Sequence, residues 1–496
     1  MLKNPNDAIH FHVNELAARV VAESGIATDI YHLGKIILKA LKDTPDFVLQ
    51  IDGATGQSET SGECLKRTIK CAIGLQNMGF KTGDVMVLMA PNHLDLAVPF
   101  YAALALGITI SPIDKYSFEI TKPKIIFCQN ENVANVQEAL RILSSEAKIV
   151  TFDKGDHDCC FAEFLDDVNE DDIENFRPAD FEPAETYAIL IPTSGTTGSS
   201  KSAATTHKNF ATTVSISIPP LKSSLIVSPI QWLTALIHFI SSPYVKVTRI
   251  QSSSPITRDH AYYLINKYKP QFLLLSPTLM TTLLKPDDRD KCDFTCLDVL
   301  NMAGSAVHKD LIDEVKVKRR QSNGKCYCWR RNAVANLEIC KIPADPGSPL
   351  QGYYNSPKAT EEAFEDGWFK TGDIFYRDEQ WNFYFVDRIK LLLKYRNHQI
   401  SPVELESVIL QHPNVLDVAV TSIPDRECGD LPVACVIPRP GCTPMADEIK
   451  EIVRANLTDT KQLRGGVVFL NNLPTTTSGK VHRRKLKELV LTMKRE

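Results

Sequence analysis

The sequence lacks an excess of positive charge: 56 lysines and arginines stand against 60 aspartates and glutamates, a formal net charge of −4. No polyanion footprint covers such a chain, so nucleic acid is disfavoured as a main partner and any phosphate site must be local. An uninterrupted apolar run is also missing. The most apolar stretch, Val85 to Pro112, is broken by Pro91, Asn92, His93, Asp95 and Pro99, whereas a spanning helix needs about 20 consecutive apolar residues. The 13 cysteines, among them Cys159, Cys160, Cys326 and Cys328, contain no paired CxxC sets and no Cys/His spacing suited to zinc, and they read as scattered reduced thiols. The opening MLKNPNDAIHFHVNELAARVV has no unbroken apolar stretch of the kind a secretion signal needs. The closing TMKRE carries no SKL-type peroxisomal address. The expectation is an intracellular protein, cytoplasmic or peroxisomal.

What is present is enough for more than one core. A chain of 496 residues, 43% apolar and 23% charged, exceeds the roughly 250 to 300 residues at which a single core stops growing. Short apolar runs (VMVLMA, KIIFC, KIVTF, AILIP, SLIVSPI, FLLLS, LDVLNMAG) alternate with helix-like or polar segments. That alternation predicts an α/β body of parallel sheets covered by helices over residues 1–386. The texture changes after Asp387. DRIKLLLKYRNHQI reads as a basic hairpin, and SPVELESVILQH opens with a Ser-Pro helix start and Glu404 in the first turn. Two strands (VLDVAVTSI, PVACVIP), a helix near Asp447 to Asn456 and a strand VVFL complete a small α+β lobe over 387–496.

The strongest local signal is ILIPTSGTTGSSK, an apolar strand running into a Thr/Ser/Gly loop that ends in Lys201. Glycines let successive backbone NH groups turn toward one point, hydroxyls add donors, and the lysine supplies mobile charge, a set suited to a triphosphate tail. A plain Ser/Thr/Gly turn is the bland alternative. A Walker loop would require glycine where Ser200 stands.

TSGTTGxxK followed by THxN, here Thr193 to Lys201 with Thr206, His207 and Asn209, resembles the signature of the adenylate-forming superfamily of acyl-CoA synthetases, coumarate-CoA ligases and beetle luciferases. With SPIQW and AGSAV added, the chain looks most like the insect luciferase-like acyl-CoA synthetases. The resemblance implies that fold, with a large N-terminal AMP-binding domain and a small mobile C-terminal lobe. It gives Thr193, Ser194, Gly195, Thr196, Thr197, Gly198 and Lys201 to the β- and γ-phosphates. Ser200, Lys201 and Ser202 stand where the family has Pro-Lys-Gly.

GWFKTGD and DRIKLLLK supply a second constellation. A carboxylate can accept from two neighbouring ribose hydroxyls and an arginine can add a fork, so Asp373 and Arg388 form the natural pair; a turn acid and a surface ion pair are the alternative. The resemblance assigns Asp373 to the ribose, Arg388 to the nucleotide and the interdomain hinge to Lys390. Near the C-terminus, LPTTTSGKVHRRKLKEL sets Lys480 in a Thr/Ser/Gly loop, where the family has its adenylation lysine. Arg483, Arg484, Lys485 and Lys487 read as a solvated basic tail. Lys394, in KYRNHQ, resembles the lysine of the thioester-forming step, with Asn397 at the family's glycine position. Asn is the non-glycine residue that best tolerates positive φ.

The expected reaction joins a small carboxylic acid, fatty or aromatic, to ATP to form an acyl-adenylate; coenzyme A then displaces AMP. Gln231, Trp232, Ala303, Gly304 and Ser305 are expected along the acyl pocket, and His238 in the core. One family element is missing: no aromatic-Gly-x-Thr-Glu occurs between AGSAV and GYY, and in relatives its Glu helps hold Mg²⁺. Two other readings remain. The chain is a catalytically impaired nucleotide- or acyl-binding homologue, or a luciferase-like monooxygenase that adds O₂ to the adenylate.

Overall fold

A computed structural model describes residues 5–112, 118–155, 159–166, 168–193, 201–214, 221–284, 289–302, 309–318, 325–328, 337–343, 351–377, 383–396, 398–476 and 480–496. By compactness the chain divides into two units. One holds Met1–Met302, Asp313–Tyr327 and Pro343–Phe369; the other holds Ala303–Ile312, Cys328–Ile342 and Lys370–Glu496.

In the first unit every apolar run singled out above is a strand, and the strands build two seven-stranded sheets. One sheet runs Lys325–Cys328, Val299–Met302, Phe272–Leu275, Ser223–Ile226, Thr248–Gln251, Val48–Asp52 and Ser58–Thr60, parallel from Val299–Met302 to Val48–Asp52 and antiparallel at Ser58–Thr60. The other runs Gly352–Tyr353, Lys201–Thr206, Tyr187–Thr193, Thr109–Ser111, Val85–Met89, Ile125–Cys128 and Lys148–Thr151. Its last five strands are parallel, while Lys201–Thr206 folds back on Tyr187–Thr193 and receives Gly352–Tyr353 on its free edge. Near-continuous apolar strands of this kind suit a sheet buried on both faces.

The stretch Val85 to Pro112 resolves into a strand, a wholly buried helix Ala97–Leu106 and a second strand, Thr109–Ser111. Gly107 closes the helix at φ 66°, a left-handed cap that glycine adopts without strain. Among the described residues no helix is long and apolar enough to cross a membrane. The helix Leu33–Asp43 lies so close to this one that a Cβ on Gly34 would fall 2.3 Å from the Leu104 carbonyl oxygen.

Between the layers sits a buried arginine. Arg249, directly opposite Gln50 in the sheet register, is fully buried and donates to the Tyr101 hydroxyl (2.6 Å), the Phe239 carbonyl (3.2 Å) and the Gln50 side chain (2.6 Å). The Gln50 side-chain nitrogen in turn donates to the Glu59 carboxylate at 2.5 Å, which also accepts from Arg67. Such a relay offsets a desolvation that otherwise costs several kcal/mol per ion.

The second unit contains an antiparallel pair, Val415–Asp425 with Gly429–Pro438, extended by Leu393–Tyr395, His398–Ile400 and, in parallel, Gly466–Phe469. The helix Pro402–Ile409 begins as expected, with Pro at its start and the Ser401 hydroxyl accepting from the Glu404 amide. Leu405, Val408 and Ile409 join Val418, Val420, Ala434 and Val436 in this unit's core. Arg483, expected in a solvated basic tail, is instead half-buried: it donates to Glu406 (2.8 Å) and the Val420 carbonyl (2.7 Å), which fastens the terminal helix Arg483–Thr492 to the sheet.

Candidate functional site

Thr193 ends its strand and Lys201 opens the next, and the two are register partners across the hairpin. The Thr193 hydroxyl donates to the Lys201 carbonyl at 3.0 Å, tying the two ends of the intervening segment together. Ser194, Gly195, Thr196, Thr197 and Gly198, the middle of that segment, lie outside the described residues. The Lys201 ammonium stands 4.8 Å from the centre of the Tyr353 ring. Behind the hairpin, the Thr206 hydroxyl accepts from the Asn209 amide (3.3 Å). His207 is fully buried between His32 and Phe181, and burial holds its pKa well below the ordinary histidine range.

Gln231 and Trp232 are half-buried, in the turn that leaves the C-terminal end of Ser223–Ile226. The Ser228 carbonyl accepts from the Asn92 side chain (2.8 Å) and the Ser228 hydroxyl from Thr234 (2.8 Å), which anchors this turn. Val299–Met302 runs parallel in the same sheet, so Met302 leaves from the same sheet edge, the edge at which parallel sheets commonly bind ligands. Ala303, Gly304 and Ser305 follow it and lie outside the described residues. His238 is a core residue, buried against Phe272 at 5.3 Å between ring centres, and burial lowers its pKa to about 4.

In the second unit three of the expected residues come together. Asp373 and Arg388 are cross-strand partners in the hairpin Trp368–Arg377/Phe383–Arg388, and Arg388 Nε lies 2.9 Å from Asp373 Oδ1. Gly372, at φ 72°, turns the chain immediately before the acid, whose amide donates to the Thr371 hydroxyl. Lys480 feels both. Its pKa is held below the ordinary lysine range, first by loss of hydration and then by repulsion from Arg388, against the pull of Asp373. The residue as a whole is exposed. The loop around Lys480 is closed at its base, where the Thr476 amide donates to the Lys480 carbonyl at 2.7 Å and Thr475 bridges Val481.

Lys394 is exposed in the strand Leu393–Tyr395 and pairs with Gln399. Its amide donates to Asp430 (3.0 Å), and no described hydrogen bond or ion pair joins its side chain to Asp373, Arg388 or Lys480. Arg396 has a positive φ (45°); Asn397, the position for which a positive φ is expected, lies outside the described residues. Lys390 is exposed in the short turn Ile389–Leu391, between the Arg388 and Lys394 strands.

The sequence reading passed over Tyr353. The signal available was the Gly-Tyr-Tyr run itself; what it could not supply was the pairing of Gly352–Tyr353 with Lys201–Thr206, which brings the ring beneath the lysine.

Comparison with known proteins shows the family. The sequence profile of the AMP-binding enzyme family matches residues 38–327, and that of the AMP-binding enzyme C-terminal domain matches residues 404–480. The chain is similar to the luciferin 4-monooxygenase of Photuris pensylvanica, 29% identical over 86% of this chain and 89% of that protein. It is also similar to 4-coumarate-CoA ligase 1 of Narcissus pseudonarcissus, 26% identical over 88% and 90%. Among solved structures, the anthranilate CoA ligase AuaEII in complex with anthranoyl-AMP aligns at TM-score 0.79 and 18% identity over 92% of this chain and 97% of its own. ATP-bound MatB from Rhodopseudomonas palustris aligns at 0.78 and 20%, over 91% and 98%. The structural likeness is one of fold, a mixed α/β body with a small C-terminal domain.

Proposed function

Because the chain belongs to the AMP-binding enzyme family, we propose that it is an ATP-dependent carboxylate-CoA ligase that first forms an acyl-adenylate and then a thioester. The observation that carries this reading is the meeting of Asp373, Arg388 and Lys480 around one spot. A carboxylate able to accept from two ribose hydroxyls, a guanidinium beside it and an ammonium within reach of both charges make a site for a nucleotide whose α-phosphate gains charge on attack.

In this reading the segment from Thr193 to Lys201 grips the β- and γ-phosphates. The acyl carboxylate attacks the α-phosphorus, the bond to the bridging oxygen breaks, and pyrophosphate departs. Lys480 steadies the charge that develops. In the second half-reaction the thiol sulfur of coenzyme A attacks the acyl carbon, AMP leaves with the electron pair, and Lys394 takes the place of Lys480 through movement about Lys390. The functional division falls at Asp387, with 1–386 as the nucleotide body and 387–496 as the lobe. Gln231, Trp232, Ala303, Gly304 and Ser305 line the acyl pocket, and the substrate is a fatty or aromatic acid.

Mg²⁺ is expected with ATP in this chemistry, where it would spread phosphate charge. No aromatic-Gly-x-Thr-Glu motif occurs between AGSAV and GYY to supply its usual protein ligand, and among the described residues no group of three metal-ligating side chains occurs. The metal would enter with the nucleotide, and no step above is assigned to it. The same absence favours a second reading, a homologue that binds nucleotide and acid but adenylates feebly.

The deciding experiment is carboxylate-dependent exchange of pyrophosphate into ATP over a panel of fatty and aromatic acids, with Lys480→Ala alongside. Loss of one such charge-stabilising group lowers the rate about 10²- to 10³-fold. ATP binding without exchange selects the second reading. Exchange that survives the substitution unchanged removes Lys480 from the mechanism.

A further inference from the structure

The geometry points to Tyr353 as a positioning residue for Lys201, a shelf that holds the ammonium oriented toward the polyphosphate while leaving its charge unspent. The inference rests on the reading of Lys201 as the lysine of the β- and γ-phosphates, and it concerns how that lysine is prepared before ATP arrives.

Three observations converge. The ammonium stands 4.8 Å from the centre of the Tyr353 ring, within the roughly 6 Å at which the negative face of an aromatic attracts a cation. Among the described residues Lys201 has no ion pair with a carboxylate, and the ring face is the partner its charge has there. Tyr353 is itself fixed: its amide donates to the Thr360 hydroxyl (2.9 Å), the next amide, of Tyr354, donates to the Ser202 carbonyl (2.8 Å), and Gly352 sits against Thr360, where a Cβ would fall 2.7 Å from the methyl carbon. Glycine at φ 148° is what lets the edge strand lie that close. The Thr193 hydroxyl on the Lys201 carbonyl (3.0 Å) secures the backbone of the same residue.

An aromatic face differs from an acid in what it leaves available. A carboxylate partner would have to be displaced by phosphate, with both anions competing for one cation. A ring attracts the ammonium weakly, limits the rotamers it samples and yields to a phosphate oxygen without leaving an unpaired buried charge behind. Replacing Pro-Lys-Gly by Ser200, Lys201 and Ser202 removes a proline beside the lysine, and a side-chain shelf supplies restraint from another direction.

The test is calorimetric binding of ATP and of AMP, each without acid substrate, to the full chain and its variants. Tyr353→Leu is expected to weaken ATP about two- to fivefold, the size of an exposed cation–ring contact, while leaving AMP unchanged. Tyr353→Phe keeps the ring and should bind ATP as the parent does. In a Lys201→Ala background, Tyr353→Leu should add nothing. If Tyr353→Leu does not fold, Tyr353→Met, which retains bulk without a ring, takes its place with the same expectations. Equal weakening of ATP and AMP, persistence of the effect without Lys201, or no effect on ATP overturns the inference. The two readings fail separately: if Lys201→Ala leaves ATP binding intact, the phosphate assignment of Lys201 is wrong, whereas a Lys201→Ala defect with an inert Tyr353→Leu rejects the shelf alone.

Discussion

Replacing Asp417 by asparagine should stabilise the C-terminal unit at neutral pH. Asp417 lies in the strand Val415–Asp425. Burial raises its carboxyl to about 6 from an ordinary 3.8; the Val418 amide at 2.8 Å pulls it down, and the Glu406 carboxylate pushes it further up. Arg483 is already committed to Glu406. The sign follows from the direction of the shift. A carboxyl whose folded pKa lies above its unfolded one holds its proton better in the native state, so stability is lost as pH rises from about 4 to about 6 and stays lost above that. A shift of about two units at 1.36 kcal/mol each amounts to about 3 kcal/mol as an upper bound. Water reaches part of this half-buried side chain, so about 1.5 to 3 kcal/mol is expected. Asparagine retains the acceptor for the Val418 amide and removes the charge. The assay is hydrogen exchange over strands Val415–Asp425 and Gly429–Pro438 in the full chain, compared between pH 5 and pH 8. The gain from Asp417→Asn should grow with pH and level off above the folded pKa. A gain of equal size at both pH values, or a loss at pH 8, refutes the reasoning.

Gly34→Ala should destabilise the first unit by about 1 to 3 kcal/mol or more, since the new methyl falls 2.3 Å from the Leu104 carbonyl and 2.4 Å from the Ala105 Cα; thermal unfolding monitored in that unit measures it, and an unchanged midpoint removes the close-contact argument. Exchange of pyrophosphate into ATP should decline as pH rises through the pKa of Lys480, below the ordinary lysine value, because the charged form is the one that acts. Arg388→Ala should move that alkaline limb upward and Asp373→Asn downward; limbs that do not move separate Lys480 from the pair. Lys394→Ala should spare pyrophosphate exchange and slow thioester formation from a supplied acyl-adenylate, and equal slowing of both steps contradicts the division of labour.

Much of this was legible because it is local. The runs VMVLMA, KIIFC and KIVTF announced their strands through continuous apolarity, and Ser401, Pro402 and Glu404 announced a helix start that the structure reproduces in detail. Asp373 and Arg388 were recognisable as a pair from carboxylate and guanidinium chemistry, and the hairpin register places them opposite each other. What escaped depends on contacts between distant segments. Nothing near Lys201 indicates an aromatic ring from Gly352–Tyr353, and nothing in Arg483 distinguishes it from Arg484, although one is tied to Glu406 across the lobe and the other to Glu488 on its own helix. The relay from Arg249 through Gln50 to Glu59 likewise joins three segments whose local patterns read only as strands.

The cross-strand placement of Asp373 and Arg388 makes the spacing between acid and guanidinium a property of chain length. Adjacent positions on a strand face opposite sides. A slip of one residue in this register would set Asp387 or Ile389 opposite Asp373 and turn Arg388 to the far face, without changing either member of the pair. The register of the hairpin therefore acts as a gauge block for the acid and the guanidinium.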